Sequence, residues 1–282
     1  MADFIKQIAS PAVLNHAWSL VRNDRARWTR DLTMQEVERN LPLHVGRISE
    51  DLINDRYRPQ DVYVFQVQKA NGGQRTICAP AVRDKLVQRA VLTVLEPLGE
   101  GYFHPCSFGY RPMCTIDMAM SRVREWVRQG YGWLGDADIA QCFDSIPQRP
   151  MLERVAALCR DQRVVVLVEN WLNGIPARYR PKGPGYGLPQ GLVLSPFLCN
   201  LYLHELDMTL EEQGIPFVRY ADDFIVLGAS QPAARAALEV AATCLEQLQL
   251  QLNFDKTQVI ETSPNHRFLG KRLPNARQRI AA

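Results

Sequence analysis

Phe217-Val-Arg-Tyr-Ala-Asp-Asp-Phe-Ile-Val-Leu227 sets two short apolar runs on either side of adjacent aspartates, Asp222 and Asp223, with no glycine or proline inside. Residues 217–220 and 224–227 are rich in β-branched and aromatic side chains, so each run reads as a strand. The acids then stand at the tip of a tight hairpin, where Asp tolerates turn geometry. Two carboxylates held by a buried hairpin are costly unless a cation meets them. Alone, the string fits a plain polar turn equally well, so the rest of the chain has to decide.

The 282 residues suffice for one large domain or two joined ones, with a substantial core. A hydrophobic content of 46% with 22% charged residues is ordinary for a globular protein. The seven cysteines are scattered, odd in number and contain no Cys-x-x-Cys pair. This argues against a zinc site or disulfide scaffold and for a reducing compartment. No apolar run approaches a membrane span, and Met1-Ala-Asp-Phe-Ile-Lys6 lacks a signal-peptide pattern, so the expectation is a cytoplasmic protein without a membrane partner. The net charge of +3 does not establish a nucleic-acid partner. After Glu261 no acid follows, whereas Arg267, Lys271, Arg272, Arg277 and Arg279 do, which suits a solvated tail and a phosphate-binding stretch alike.

Residues 10–56 read as mainly helical, with Ser10-Pro11 as cap and first turn. Val62-Tyr-Val-Phe-Gln-Val67 alternates, Asn71-Gly72-Gly73 signals a turn, and Arg75-Thr-Ile-Cys78 resumes the extended run. This hairpin carries Lys69 on one arm and Arg75 on the other, a pair able to clamp a triphosphate or merely to be surface charge. Residues 84–95 form an apolar helical stripe ending near Pro97. Ser107-Phe-Gly-Tyr-Arg-Pro112 is a compact loop whose Arg111 could meet a nucleic-acid strand or staple the fold. An amphipathic helix with Ala119, Val123, Trp126 and Val127 on one face follows.

Trp133-Leu-Gly-Asp-Ala-Asp-Ile-Ala-Gln-Cys-Phe-Asp-Ser-Ile146 begins as a strand yet holds Asp136, Asp138 and Asp144, and charge in apolar company needs a partner. Residues 148–172 return to helix. Gly183 to Gly191 form a Gly/Pro-dense loop that a flat ligand could approach closely, and Ser195-Pro196 opens a helix. The aspartate hairpin, a helix after Ser230, a strand after Asn253 and Phe268-Leu-Gly270 complete the order. From residue 133 onward the order is strand, helix, loop, helix, hairpin, helix, strand, which fits a split βαβ sheet. That plan can set Asp138 beside a hairpin more than 80 residues later. Converging carboxylates at a sheet end suit hard divalent cations such as Mg²⁺, which also take substrate phosphate oxygens.

With these segments in order, the sequence resembles the prokaryotic reverse transcriptases of the group II intron and CRISPR-associated kind. The resemblance rests on Lys69-Ala-Asn-Gly-Gly-Gln-Arg75, Ser107-Phe-Gly-Tyr-Arg-Pro112, Asp138-Ile-Ala-Gln-Cys-Phe-Asp144, Gly187-Leu-Pro-Gln-Gly-Leu-Val-Leu-Ser-Pro196, Arg219-Tyr-Ala-Asp-Asp-Phe224, Asn253-Phe-Asp-Lys-Thr257 and Phe268-Leu-Gly270. It implies an α+β right-hand polymerase of fingers and palm, the palm a split βαβ, ferredoxin-like antiparallel sheet with helices on one face. Residues 1–132 would form the N-terminal helical segment and fingers, with a β-hairpin at about 62–78. Residues 133–282 would form the palm, with fingers elements from 147–190 interleaved. The 12 residues after Gly270 are too few for a helical thumb.

The implied activity is RNA-directed DNA synthesis: dNTPs added to a DNA or RNA primer on an RNA template, serving CRISPR spacer acquisition or a group II-like element. The alternatives are a defence-type template-independent polymerase and a non-catalytic palm-fold subunit of a larger complex. Asp138, Asp222 and Asp223 match the catalytic aspartates, with the Ile139 carbonyl as a further ligand for two Mg²⁺ ions, Mn²⁺ being an alternative. Phe143 matches the gate against a 2′-OH. Lys69 and Arg75 match triphosphate contacts, Gln190 and Lys256 positions near the incoming nucleotide, and Arg111, Gly191 and Arg219 nucleic-acid contacts. A Cas1-type integrase complex or a thumb-bearing chain is the implied protein partner.

Overall fold

The computed structural model describes residues 3–68 and 72–276. In chain order its elements begin with helices α1 (Phe4–Ile8), α2 (Pro11–Val21), α3 (Met34–Arg39) and α4 (Leu41–Ile53). Strands β1 (Tyr63–Gln68) and β2 (Gln74–Ala79), then helices α5 (Val82–Glu100) and α6 (Ile116–Arg128), follow. Next come β3 (Trp133–Asp138), α7 (Cys142–Ser145), α8 (Gln148–Cys159), α9 (Gln162–Asn173) and α10 (Ser195–Glu212). The last are β4 (Phe217–Tyr220), β5 (Asp223–Gly228), α11 (Gln231–Gln247), β6 (Gln258–Glu261), β7 (Arg267–Phe268) and β8 (Lys271–Arg272). Among the described residues, no helix is long and apolar enough to cross a membrane.

The chain divides into two units, residues 1–102 with 147–198, and residues 103–146 with 199–282. This differs from the boundary expected at 132/133. Residues 103–132 belong with the second unit because Phe108, Ala119, Met120 and Val123 share a buried core with Leu134, Val218, Ile225 and Leu227. The interleaved segment is also longer than 147–190, reaching Leu198.

In the first unit, the Ser10 hydroxyl accepts from the Val13 amide and Pro11 opens α2, as the sequence indicates. Pro97 lies inside α5 rather than ending it. A proline so near a helix end forfeits one backbone bond, and buried Leu95 and Gly99 keep the last turn packed. The helix expected over 148–172 is two helices. Arg160 adopts a left-handed φ of 51°, and the Asp161 carboxylate then caps α9 through the Arg163 amide. Ser195 does not cap α10, since its hydroxyl donates to the Pro189 carbonyl at 2.6 Å. β1 and β2 pair antiparallel with Val67 opposite Arg75.

The second unit is built on a four-stranded sheet in the order β4-β5-β3-β6, with all neighbours antiparallel. This is the split βαβ arrangement, its central strands β3 and β5 contributed from distant parts of the chain. Leu134 faces Leu227, Asp136 faces Ile225 and Asp138 faces Asp223 across the β3–β5 pair. Alternation along a strand puts these six on one face and Gly135, Ala137, Phe224 and Val226 on the other. Helix α11 covers the second face closely: a Cβ at Gly135 would overlap Leu238, and one at Gly228 would overlap the backbone of Ala234. Helix α6 packs on the other face, where Ala119, Met120 and Val123 share a core with Leu134, Ile225 and Leu227.

Candidate active site

Asp138 ends β3, and Asp223 begins β5 directly opposite it. The hairpin expected from residues 217–227 is present, but its turn is Ala221–Asp222, and Asp223 is already in the strand, paired with Tyr220. Ala221 takes a left-handed φ of 62°. That conformation costs an L-residue other than glycine about 1–2 kcal/mol and persists only where surroundings enforce it. Here a carboxylate-bearing turn is held out of its relaxed geometry.

The site crowds like charges together. Burial, and then the Asp222, Asp138 and Asp136 carboxylates in that order, push the Asp223 carboxyl up to about 6. Asp136 is also raised, chiefly by burial, and accepts from Gln258 at 3.4 Å. Asp138 is one-fifth exposed, and its Oδ2 accepts from Lys256 Nζ at 2.9 Å and Asn253 Nδ2 at 3.1 Å. The Asn253 amide in turn donates to the Asp138 carbonyl at 2.8 Å. Among the described residues, no three His, Cys, Asp or Glu side chains are gathered into a ready-made metal cage. Lys256 and Asn253 occupy one oxygen of Asp138 instead.

Ile139 is buried and follows Asp138 directly, bridging to Leu252. Phe143 sits half-buried on α7, five residues after Asp138, and meets Tyr110 edge-to-face with centroids 6.2 Å apart. Tyr110 lies in the Ser107–Pro112 loop at a φ of 60°. Its neighbour Gly109 has no room for a side chain, because a Cβ would overlap the Ala221 backbone.

The remaining expected site residues fall as follows. Lys69 lies outside the described residues, as do Arg277 and Arg279. Arg75 is exposed on β2. The Gln190 carbonyl accepts from the Cys78 amide at 2.7 Å. Gly191 has a φ of 112°, and a Cβ there would stand 2.6 Å from the Cys78 carbonyl oxygen. Its glycine is therefore required by the approach to β2. Arg111 staples its own loop, donating to the His104 and Ser107 carbonyls at 2.9 and 2.6 Å.

Arg219 is a correction. It is fully buried, paired with Asp207, and cannot touch a nucleic acid. Position explains this: Arg219 faces inward on β4, and its charge is matched by a carboxylate one helix away. Reading from sequence also missed Asn253, Asn200 and Asp207. Asn253 could have been found from its three-residue spacing to Lys256. The other two sit on α10 and carry no local sign of their role.

Residues 67–273 match the family described as reverse transcriptase (RNA-dependent DNA polymerase). The chain is 28% identical to protein YkfC of Escherichia coli (strain K12), over 86% of this chain and 74% of YkfC. It is 30% identical to the group II intron-encoded protein LtrA of Lactococcus lactis subsp. cremoris, over 64% of this chain but 30% of LtrA. The fold is similar to that of telomerase from Candida albicans, with a TM-score of 0.52 at 13% identity, covering 75% of this chain and 44% of that one.

Proposed function

Because the chain belongs to the reverse transcriptase (RNA-dependent DNA polymerase) family, we propose that it extends a DNA or RNA primer with dNTPs on an RNA template through the Asp138–Asp222–Asp223 site. The observation that carries this reading is the direct juxtaposition of Asp138 and Asp223 beside the Asp222 turn, with Asp223 raised by burial and then by its acidic neighbours. Such crowding of like charge is destabilising unless a cation or a proton relieves it. The donors are carboxylate oxygens without thiol or imidazole, which suits Mg²⁺, with Mn²⁺ as an alternative. Asp138 and Asp222 would hold the ions, with Asp223 and the Ile139 carbonyl completing the protein's share.

When bound, two such ions supply charge stabilisation for the attacking and leaving oxygens of an in-line displacement. The chain's own residues position the reactants. Phe143, braced by Tyr110, would exclude a 2′-OH from the sugar pocket. Lys69 and Arg75 would hold the triphosphate, Gln190 the nucleotide, and Lys256 the phosphates near Asp138. Similarity to LtrA supports a group II-like setting for this activity. Spacer acquisition beside a Cas1-type integrase, or a separate thumb-bearing chain gripping the primer, would require a partner that co-purifies with the chain.

Extension of oligo(dT) on poly(rA) with dTTP tests the proposal. The intact chain is expected to lengthen the primer, and Asp222→Ala to lose that activity. Undiminished extension by Asp222→Ala would refute it.

A further inference from the structure

Arg219, Asp207 and Asn200 are each completely buried and joined in one network. The Arg219 guanidinium donates from Nε to Asp207 Oδ1 at 2.7 Å and from Nη2 to Asp207 Oδ2 at 2.5 Å. Its Nη1 donates to Asn200 Oδ1 at 2.9 Å and to the Ala221 carbonyl at 3.0 Å. Asn200 then donates from Nδ2 to the Gly109 carbonyl at 2.6 Å, and Gly109 is the residue packed against the Ala221 backbone. Main-chain bonds repeat the connection: the Arg219 amide donates to the Cys106 carbonyl and the Phe108 amide to the Arg219 carbonyl, both at 2.9 Å.

The guanidinium is anchored on Asp207 of α10, and its other branches end on the Ala221 carbonyl of the turn that carries Asp222 and, through Asn200, on the Gly109 carbonyl of the loop pressed against it. Stability alone does not explain the arrangement, because buried ion pairs are commonly replaceable by apolar residues without loss. Geometry does: only the planar guanidinium fork can satisfy a bidentate carboxylate, an amide oxygen and a turn carbonyl together. The left-handed Ala221 supplies the strain that such a clamp must hold.

We infer that Arg219, Asp207 and Asn200 form a positioning unit that locks the Ala221–Asp222 turn, fixing the Asp222 carboxylate for the reaction without touching any reactant. This rests on the polymerase reading for its kinetic consequence, and on the turn geometry alone for its structural one.

The test uses the whole chain with two replacements, R219K and the apolar double variant R219M/D207L. Lys keeps the charge but cannot reach all three acceptors, and the double variant removes the pair without leaving a buried unpaired charge. For each, three quantities are measured: the melting temperature, kcat and KM for dTTP on poly(rA), and amide hydrogen exchange at residues 221–223. The expectation is a melting temperature near that of the wild type and a kcat lower by roughly 100-fold. The KM for dTTP should stay within about twofold, and exchange at Asp222 and Asp223 should be at least about tenfold faster. A folded variant with wild-type kcat and wild-type exchange overturns the inference. Failure of both variants to fold also overturns it, because the network would then serve the fold alone. An inactive wild type would count against the polymerase reading, while the exchange measurement would still decide the clamp.

Discussion

Asp138 of β3 stands directly across the sheet from Asp223 of β5. Side chains so paired have Cβ atoms about 4.5–5.5 Å apart, and like charges at that distance destabilise a sheet. Burial, and then the Asp222 and Asp138 carboxylates, push the Asp223 carboxyl up to about 6 from an ordinary 3.8. A carboxyl raised in the folded state favours folding while protonated, so its contribution is lost as pH rises through roughly 4 to 6.

In the metal-free chain, Asp223→Asn should therefore stabilise at pH 7 and have little effect near pH 4. Neighbouring atoms crowd the Asp223 carboxyl, yet more than a third of the residue stays open to water, so solvent screening limits the gain to about 1 kcal/mol. Urea unfolding in EDTA across this pH range is the measurement. Parallel stability curves for the two proteins would contradict the like-charge account.

Lys256 is a counter-ion to Asp138 that a metal would have to displace. Its pKa is raised, chiefly by the hydrogen bond to Asp138. The side chain is 61% exposed, so Lys256→Met should change stability by less than about 1 kcal/mol. With Asp138 Oδ2 relieved of the ammonium and left with the Asn253 amide alone, Mn²⁺ should bind a few-fold more tightly without nucleotide, while turnover falls. Electron paramagnetic resonance of free Mn²⁺ reads the affinity directly, and unchanged binding would show that Lys256 does not compete.

Phe143 and Tyr110 meet edge-to-face, an arrangement worth about 0.5–1.5 kcal/mol beyond burial. Phe143→Ala should raise the ratio of rUTP to dTTP incorporation by roughly 10- to 100-fold, as expected for about 1.4–2.7 kcal/mol of lost discrimination. Tyr110→Ala should shift the ratio in the same direction by a smaller factor, and Tyr110→Phe hardly at all. Competition assays with both nucleotides measure this; a ratio untouched by Phe143→Ala would remove it from sugar selection.

Gly109→Ala should be severely destabilising, by about 3 kcal/mol or more, because the added methyl collides with backbone rather than with a movable side chain. Gly46→Ala, within α4 and with open space around it, should instead be neutral or slightly stabilising. Thermal melts of the two variants give the comparison, and equal melting temperatures would disprove the close approach of Gly109 to Ala221.

The sequence by itself determined most of the elements and the family resemblance that singled out the acids. Two apolar runs rich in β-branched and aromatic residues gave the hairpin at 217–227 with Asp222 and Asp223 between them, and acids in apolar strand company drew attention to Asp138. Periodicity is a local property, so these signals survive without knowledge of the fold. Tertiary structure decided what local signals cannot carry. It moved the 107–112 loop and α6 onto the palm sheet, because which core a helix joins depends on distant partners. It turned Arg219 from a candidate nucleic-acid contact into a buried clamp, because the charge that neutralises it sits on α10. It also placed Asp138 opposite Asp223, a register set by pairing between strands more than 80 residues apart. In a strand a one-residue slip would turn either carboxylate to the other face. The residue types are legible locally, and the sheet register brings Asp138 and Asp223 together.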